Sequence, residues 1–191
     1  SLLAPLAPVS DLFKELNEKD RQQIKEDLNS LGYEVHTLST LPNEIKLDYL
    51  LIGEKGTSDL LPHNKLSQGM YRALVLLVYF RYLISKGQAT MVLIDDLCEG
   101  LDYARATKLG KLIFSLALEH KIQLIATSND RFLMDVVDLQ YWKVLLREGN
   151  RVCSINPKSH PKIFDDFKFT GLSNFSFFSS SYLRSKLAAE Q

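Results

Sequence analysis

Two adjacent carboxylates, Asp95 and Asp96, are the side chains of this sequence most ready for chemistry. They follow directly on the apolar run Met91–Ile94, which is long enough for a strand buried on both faces of a parallel sheet. Ligands bind at the carboxyl ends of such strands, so acids there indicate a metal site or a general base. Two solvated acids at a strand end would leave the same pattern, and this segment by itself does not decide between the two.

Polar residues elsewhere in the sequence are spaced so that they could join this pair of acids. Ser67, Gln68 and Gly69 begin a long apolar helix, whose first N–H groups and dipole favour a phosphate. The alternative for these residues is an ordinary helix cap followed by a permissive glycine. Asp102 follows the acids after a short loop containing glycine, and Asn129 ends the next apolar run. Such a joint arrangement at one sheet edge is far less expected by chance than any one of its parts.

The elements that must position these residues follow from the hydrophobic pattern. Helical periodicity alternates with short apolar runs over residues 67–146, which predicts an α/β fold with a mostly parallel sheet flanked by helices. The predicted helices cover residues 10–31, 71–86, 101–120 and 131–137, and the predicted strands cover residues 33–38, 45–51, 91–94, 122–127, 141–146 and 152–155. Turns are predicted at residues 41–43 and at Gly149-Asn150.

Composition along the chain predicts three segments. Residues 1–44 are expected to form a helical lead-in, the remnant of a longer helical insertion. Residues 45–157 are expected to form the α/β lobe, and residues 158–191 are an aromatic and serine-rich C-terminal segment. That last segment either folds back over the sheet or docks onto a partner. The chain starts at Ser1 and its first methionine is Met70, so we expect a piece of a longer protein.

Overall composition narrows the classes of function. The 191 residues are 46% hydrophobic and 24% charged, as in a globular protein. Lys plus Arg and Asp plus Glu number 23 each, so no global field draws nucleic acid or an anionic membrane to the chain. Two distant cysteines and four scattered histidines lack the spacing of a structural zinc site. The sequence shows no signal peptide and no apolar run long enough to cross a bilayer, so we expect a cytoplasmic protein.

The order and spacing of these motifs resemble the C-terminal lobe of an ABC-type ATPase head. The likeness is closest to the SMC, RecF-like and OLD-like ATPases, many of which act in DNA repair or bacterial anti-phage defence. Leu66-Ser67-Gln68-Gly69-Met70 resembles the signature motif, residues 91–96 the Walker B strand and residues 99–102 the D-loop. Thr127-Ser128-Asn129 falls where that family carries its switch histidine. The resemblance covers residues 45–147.

This resemblance implies a P-loop NTPase fold that binds ATP and Mg²⁺ between the two heads of a homodimer. It also implies roles for individual side chains. Ser67, Gln68 and Gly69 would contact, in trans, the nucleotide bound to the second subunit. Asp95 would hold Mg²⁺ through water, Asp96 would orient or deprotonate the attacking water, Asn129 would sense the γ-phosphate, and Asp102 would act as a relay at the dimer seam. The output of such a head is expected to act on a nuclease, a toxin or another effector. Direct contact with nucleic acid gains no support from the charge, and no membrane partner is implied.

Three departures from the family pattern change what the resemblance implies. Asp96 replaces the usual catalytic glutamate, and Asn129 replaces the switch histidine. Both changes predict slow ATP hydrolysis, and the alternative is a degenerate lobe that serves as a non-enzymatic assembly module. The sequence also contains no Gly-x-x-x-x-Gly-Lys-Ser/Thr motif. We therefore expect an N-terminal Walker A lobe outside this sequence to cradle the phosphates, and we expect the isolated chain to be inactive.

Other kinds of site fit the sequence less well. A nuclease site with two metal ions could use Asp95, Asp96 and Glu99, but no lysine or histidine stands at a convincing spacing. The Ile-Asp-Asp sequence is also common in AAA+ ATPases, although the upstream Leu-Ser-Gln-Gly and the downstream Leu-Asp favour the ABC type. Cys98 is expected to be a packing thiol rather than a nucleophile.

Overall fold

The computed structural model describes residues 8–40, 49–87 and 91–189 of the chain. These residues form helices and short strands in alternation, which confirms the predicted α/β class. The turn predicted at residues 41–43 and the start of the strand predicted over residues 45–51 lie outside the described residues. Within the described ranges, no helix combines the length and the apolar character needed to span a membrane.

The chain divides into two compact units, Ser1–Thr127 and Ser128–Gln191. This division falls at neither of the predicted boundaries, which lie after residues 44 and 157. The difference has a physical cause in each unit. Helices of the lead-in pack on a helix of the α/β lobe, and the C-terminal segment shares a core with the hairpin that precedes it.

Each unit contains helices and strands of its own. Those of the first unit are α1 (Val9–Glu15), α2 (Glu18–Ser30), β1 (Val35–Thr40), β2 (Leu50–Glu54), β3 (Leu60–Pro62), α3 (Gln68–Lys86), β4 (Met91–Ile94), α4 (Tyr103–Glu119) and β5 (Gln123–Ala126), with a 3₁₀ turn at His63–Lys65. Those of the second unit are α5 (Arg131–Val136), β6 (Val144–Glu148), β7 (Arg151–Ile155), α6 (Pro161–Lys168), α7 (Asn174–Ser179) and α8 (Tyr182–Ala189), with a 3₁₀ turn at Leu139–Tyr141.

Parallel pairing is confined, among the described strands, to β4 and β5. Helix α4 supplies the long crossover that parallel neighbours require. Strands β1, β2 and β3 form an antiparallel sheet, and β6 and β7 form an antiparallel hairpin. The hairpin turns at Gly149-Asn150 as predicted, and so short a connection cannot join parallel strands. Among the described strands, the expectation of a mostly parallel sheet is therefore corrected to one parallel pair and two antiparallel sheets.

Strand β4 is buried on one face only, whereas its apolar sequence predicts burial on both. Ile94 is buried, while Met91 and Leu93 are 51% and 59% exposed. Ile125, beside Leu93 on β5, is 48% exposed. Alternate residues of a strand point to opposite faces, so the exposed side chains share one side of the sheet. We call Met91, Leu93 and Ile125 the open sheet face.

The helix predicted over residues 10–31 is two helices, α1 and α2. Leu16 leaves α1 with an extended backbone, and the Asn17 side chain then accepts a hydrogen bond of 2.9 Å from the Asp20 N–H. An asparagine in this position caps a new helix, which a continuous apolar face in the sequence does not reveal. The Arg21 side chain of α2 donates to the Phe13 carbonyl oxygen at 3.2 Å and so holds the end of α1.

Helix α3 is central to the first unit, and helices α1 and α2 both pack on it. The Ser67 side chain caps its start, and Gly87 ends it with a φ of 61°. Its buried residues are Gly69, Met70, Ala73, Leu74, Leu77, Val78 and Phe80. Arg81 forms a buried ion pair with Asp27 of α2 at 2.7 Å, and the Gln23 amide donates to the same carboxylate at 3.2 Å. The lead-in is therefore part of the core of this unit.

The second unit is built around aromatic side chains of the C-terminal segment. Phe177 is fully buried, and the ring centroids of Phe164 and Phe167 lie 4.6 and 4.9 Å from its own. Val144 and Ile155 of the hairpin belong to the same core. The segment thus folds back on its own unit, which is one of the two outcomes left open by the sequence.

His63 connects β2 to helix α3 in its neutral form. Its Nδ1 accepts a hydrogen bond of 3.1 Å from the Leu50 N–H, and its ring stacks on Tyr71 with 5.9 Å between centroids. Burial lowers the pKa of His63 below its usual value. A protonated ring has no lone pair on Nδ1 with which to accept from Leu50, so protonation breaks this connection.

Removal of one partner of the Asp27–Arg81 pair is expected to destabilise the chain strongly. Asp27→Leu leaves the Arg81 guanidinium buried without its carboxylate, which costs about 3–5 kcal/mol in comparable pairs. The double variant Asp27→Leu/Arg81→Leu removes both charges and should recover most of that loss. Urea unfolding followed by circular dichroism measures the free energy of unfolding of each variant.

Glu15→Ala is the matched control for this experiment. It breaks the exposed ion pair between Glu15 and Lys86, 2.8 Å apart, which also connects a lead-in helix to α3. This change should cost far less than Asp27→Leu, because exposed pairs contribute little. Equal losses in the two variants, or a double variant no more stable than Asp27→Leu, would contradict the role of the buried pair.

The lowered pKa of His63 predicts a stability that falls on the acid side of neutrality. The folded state favours the neutral ring, so this contribution is complete above the unfolded pKa of about 6.5. It is lost as the pH falls from there toward the lower pKa of the folded state. His63→Asn keeps an acceptor for Leu50 but does not titrate, so its melting temperature should fall less on acidification than that of the parent.

Thermal unfolding between about pH 7.5 and pH 5 measures this difference. His120→Asn, at an exposed position after α4, is the control and should follow the parent. If His63→Asn shows the same pH profile as the parent, His63 is not the group responsible.

Candidate functional site

Strand β4 ends in two exposed aspartates, and Thr127, which follows the neighbouring strand β5, holds the Asp95 carboxylate and the Asp96 backbone. The Thr127 hydroxyl, at the end of β5, donates to Asp95 Oδ1 and accepts from the Asp96 N–H at 2.9 Å. A carboxylate accepts through two oxygens, so Asp95 Oδ2 can still serve a ligand. Both acids lie at the carboxyl end of the parallel pair, the position that the sequence predicts for a ligand site.

The backbone at Asp96 is left-handed, with a φ of 47°. Non-glycine residues rarely adopt this region, which costs about 1–2 kcal/mol per residue. The Leu97 N–H donates to the Thr127 carbonyl oxygen at 3.0 Å, and the Glu99 N–H donates to the Asp96 carbonyl oxygen at 3.0 Å. Leu97 and Cys98 are buried, as expected for a packing thiol, so the core anchors this segment. We call residues 95–99 the acidic turn.

A cation from helix α3 binds the other side of the acidic turn. Arg72 donates to three successive carbonyl oxygens, those of residues 95–97, the last of them at 3.2 Å from its Nε. Its Nη1 lies 3.6 Å from the Glu99 carboxylate. The acidic turn is therefore held between Thr127, which follows β5, and Arg72 of α3.

The serine before helix α3 is a helix cap. Ser67 Oγ accepts from the Met70 N–H at 3.3 Å, which is the plainer of the two alternatives that the sequence offered. This bond uses one lone pair, and the hydroxyl hydrogen can still be donated to a phosphate oxygen. Capping and contact with an anion are therefore compatible at this position, and the nucleotide contact stays a prediction.

Gly69 is a packing residue as well as a candidate for nucleotide contact. It is buried, and a Cβ at this position would overlap the Gly100 carbonyl oxygen and lie 3.0 Å from Leu101 Cδ2. Gly100 has a φ of 78°, and a Cβ there would lie 3.0 Å from Gln68 Cγ. The two glycines allow the start of α3 and the loop before α4 to approach to backbone contact. The sequence predicts nucleotide contacts for Gln68 and Gly69 but not this packing against the loop before α4.

Asp102 caps helix α4. Its Oδ1 accepts from the Arg105 N–H at 3.0 Å, and its Oδ2 pairs with the Arg105 guanidinium. The Arg105 N–H is the main group that holds the pKa of Asp102 below its usual value, and the Arg105 guanidinium adds to it. The Asp102 side chain is half exposed, so its predicted contact across a dimer seam is compatible with capping and stays a prediction.

An open cavity of about 380 Å³ adjoins these residues, a volume within the range of small-molecule sites. Ser67 and Gly69 line it from the start of α3, and Gly100 and Asp102 line it from the loop before α4. Lys65 adds a positive charge at the cavity wall. The structure thus brings two of the predicted motifs together at one cavity. The acidic turn runs directly into the lining residue Gly100, and Arg72 bonds the turn to helix α3.

Asn129 belongs to the second unit, two residues beyond Thr127, and its side chain is exposed. The next residue, Asp130, caps helix α5, because its Oδ1 accepts from the N–H groups of Phe132 and Leu133 at 2.9 Å each. The sensor role of Asn129 stays a prediction.

The carboxylates at the end of β4 fit a Mg²⁺ ion that arrives together with a nucleotide. Within the described ranges, no three His, Cys, Asp or Glu side chains lie close enough to hold a metal ion together. Mg²⁺ is commonly held by one or two carboxylates, phosphate oxygens and several waters. The exposed carboxylates of Asp95 and Asp96 meet that requirement, with Asp95 already oriented by Thr127. The nuclease alternative built on these acids and Glu99 gains no support from the described residues.

The sequence motifs do not predict a role for two residues of this arrangement, Thr127 and Arg72. The signal for Thr127 was a hydroxyl residue that ends the strand beside the acidic one, since parallel neighbours end at one sheet edge. The signal for Arg72 was weaker. It is a single charge that interrupts the buried residues at the start of α3, and charges on helices are usually solvated.

Gly69→Ala should destabilise the chain although alanine favours helices. Helix propensity alone predicts a gain of about 1 kcal/mol for this change. The new Cβ would overlap the Gly100 carbonyl oxygen, and overpacking of this kind costs about 1–3 kcal/mol. Urea unfolding measures the result, with Gln68→Ala in the same turn as a control expected to stay within about 0.5 kcal/mol. A Gly69→Ala chain about 1 kcal/mol more stable than the parent, as helix propensity alone predicts, would refute the close contact.

Comparison with known proteins gives matches among solved structures alone. No protein-family model matches the sequence, and no curated protein matches it. One matching structure comes from work on ATP-driven dimerization and DNA-stimulated activation of SMC ATPases, with a TM-score of 0.55 and 20% identity over 83% of this chain and 97% of that one. The Smc head domain of Pyrococcus furiosus, with an extended coiled coil and bound to the C-terminal domain of ScpA, has a TM-score of 0.56 and 18% identity over 79% of this chain. The Smc head domain of Pyrococcus yayanosii, with a coiled coil and joint, has a TM-score of 0.55 and 21% identity over 79% of this chain.

These matches concern the fold, because the identities are low. The chain spans almost the whole of the first structure but only 38% of the Pyrococcus furiosus chain and 29% of the Pyrococcus yayanosii chain. The likeness to SMC ATPase heads that the motifs predict is confirmed for the fold. The chain has the α/β fold of SMC ATPase head domains.

Proposed function

We propose that this chain is the signature lobe of an ABC-type ATPase head that dimerises around ATP and Mg²⁺ and hydrolyses ATP slowly. The observation that carries the proposal is the connection between two motifs. The acidic turn at the end of β4 is hydrogen-bonded to Arg72 of helix α3, and the same helix begins at the cap residue Ser67. Fold likeness to SMC heads, one of them described with ATP-driven dimerization, supports it.

The chemistry required of this lobe is the positioning of a water and the stabilisation of charge, as in other phosphoryl transfers. The exposed Asp96 carboxylate can orient the attacking water and accept its proton. Asp95, oriented by Thr127, would hold Mg²⁺ through the water shell of the ion. When bound, Mg²⁺ neutralises negative charge on the phosphates.

The other half of the proposed site acts in trans. The start of helix α3 offers N–H groups and the positive end of a dipole to the γ-phosphate of a nucleotide held by a second subunit. Ser67 adds a hydroxyl, and Gln68 and Gly69 lie in the same first turn. Asp102 lines the same cavity, so a subunit that binds there would meet both motifs. A two-fold axis would give each nucleotide one such contact.

The open sheet face supports the presence of a companion lobe. Met91, Leu93 and Ile125 are each about half exposed, although parallel sheets are normally covered on both faces. A Walker A lobe packed on this face would bury these side chains. It would also bring the phosphate-binding lysine that this sequence lacks.

Slow turnover follows from two side chains. Asp96 is one methylene shorter than glutamate, so its carboxylate reaches less far toward a water at the γ-phosphate. Asn129, as the proposed sensor, can hydrogen-bond a phosphate but carries no titratable proton. Slow hydrolysis prolongs the ATP-bound dimer, and ATP then serves mainly as a conformational switch.

The switch would act, in the cytoplasm, on a nuclease or toxin effector in DNA maintenance or anti-phage defence. This part of the proposal rests on the family resemblance alone. The matched Pyrococcus furiosus head binds a domain of ScpA, an example of a head of this fold that carries a protein partner.

Asp96→Asn should lower kcat for ATP hydrolysis about 100-fold, because a general base contributes about 10²–10⁴-fold to such rates. The measurement is steady-state phosphate release by this chain together with the Walker A lobe that completes the head. Asp59→Asn, at another exposed aspartate, is the control and should keep the parental rate.

Unchanged turnover in Asp96→Asn would show that Asp96 has no catalytic role and would favour the non-enzymatic assembly module.

The isolated chain should show negligible affinity for ATP in calorimetry, because it lacks the main phosphate cradle. Micromolar binding by the isolated chain would refute the need for a companion lobe.

A further inference from the structure

Arg72 makes an unusual set of contacts for an arginine on a helix. It lies on the second turn of α3, and its side chain is 23% exposed. Its guanidinium donates to the carbonyl oxygens of residues 95–97 and lies 3.6 Å from the Glu99 carboxylate. A solvated surface arginine does not direct hydrogen bonds to three successive carbonyl groups, so Arg72 has a structural task at the acidic turn.

The guanidinium suits this task because of its geometry. The carbonyl oxygens of residues 95–97 lie beyond the β4–β5 ladder, which ends at Ile94 and Ala126. Arg72 donates to all three of them, and the Asp96 oxygen also accepts from the Glu99 N–H. A guanidinium presents five N–H groups in one plane and can serve several acceptors at once. A lysine ammonium is a compact charge on a flexible stem and cannot reproduce that pattern.

The Glu99 contact is the weaker part of this arrangement. The Glu99 side chain is 56% exposed, and exposed ion pairs contribute little to stability. The bonds to the backbone carbonyl groups are therefore the ones that fix the acidic turn. They act at Asp95 and Asp96 themselves, where a change of backbone direction turns both carboxylates.

Thr127 and Arg72 hold the acidic turn from opposite directions. Thr127 bonds the Asp95 carboxylate and the Asp96 N–H from strand β5. Arg72, on helix α3, donates to the carbonyl oxygens of residues 95–97. It lies about one and a half helical turns after Ser67. Of these two side chains, Arg72 is the one that joins the acidic turn to helix α3, whose start lines the cavity.

We propose that Arg72 is a positioning residue that fixes the acidic turn and couples it to the start of helix α3. It acts through the backbone of Asp95 and Asp96 and does not itself touch the nucleotide. The conformational part of this inference stands on the contacts above. Its consequence for ATP hydrolysis rests on the proposed function.

Amide hydrogen exchange in the 191-residue chain tests the conformational part. Arg72→Met should speed exchange about tenfold at the Leu97 and Glu99 N–H groups, because their bonds of 3.0 Å belong to the acidic turn. Arg72→Lys should give an intermediate effect. The Ile52 N–H of β2 is the internal reference and should exchange at the parental rate.

Lys86→Met is the matched control, since Lys86 is a cation on the same helix whose ion pair with Glu15 is exposed. It should leave exchange in the acidic turn unchanged. Equal acceleration at the acidic turn and at Ile52 in Arg72→Met would show a general loss of stability and overturn the proposal. If Arg72→Met does not fold, Arg72→Lys and Arg72→Gln decide by the same comparison.

Kinetics of the completed head test the functional part. Arg72→Lys should lower kcat about tenfold, leave KM for ATP unchanged and raise the Mg²⁺ concentration needed for the half-maximal rate, because Asp95 is less well oriented. A merely structural role would reduce the active fraction and would leave the Mg²⁺ dependence where it is in the parent. The shift in Mg²⁺ dependence is therefore the measurement that distinguishes a positioning role from a merely structural one.

The outcomes separate this inference from the proposed function. Parental exchange at the acidic turn in Arg72→Met overturns the positioning role. Faster local exchange with a parental Mg²⁺ dependence overturns its link to catalysis. Faster local exchange in a chain whose completed parental head does not hydrolyse ATP refutes the proposed function and leaves the positioning role in place.

Discussion

The left-handed turn at Asp96 is the constraint on which the site depends. It folds the chain back after β4, so that Leu97 and Cys98 enter the core while the carboxylates of Asp95 and Asp96 remain outside. This conformation is unfavourable on its own, so hydrogen bonds from the surroundings must hold it. One of them comes from Thr127, which reaches the turn only because β5 ends level with β4, with Ala126 beside Ile94. The geometry of the acidic turn therefore depends on the register between β4 and β5.

Capping and ligand binding are not competing explanations in this chain. Ser67 and Asp102, both predicted to act in the site, also cap helices α3 and α4. Asp102 caps a helix that follows β4 of the parallel pair, at the edge where ligands bind, whereas Ser67 caps a helix that follows the antiparallel strand β3. Capping is compatible with the ligand contact predicted for each of them. At Gly69, by contrast, the Gly100 carbonyl group fills the space that a Cβ would take, so packing alone explains the glycine.

The sequence predicts a helix or strand correctly where its hydrophobic repeat and the residue at its end agree. Helices α3 and α4 and strands β4 and β5 were found within a few residues, because each has a clear apolar pattern and a polar residue or glycine at its end. The break at Leu16 was missed, since an apolar face continues across it. The exposure of Leu93 was missed because an apolar run reads the same whether one face or both are covered. Arg72 was missed because its partners are backbone carbonyl groups, which leave no trace in the sequence.

The open sheet face has a consequence for the protein before it is assembled. Met91, Leu93 and Ile125 present an apolar strip beside a two-stranded sheet, and such strips are places where unfinished chains adhere to one another. A chain with this strip uncovered should therefore self-associate more readily than one in which the strip is covered.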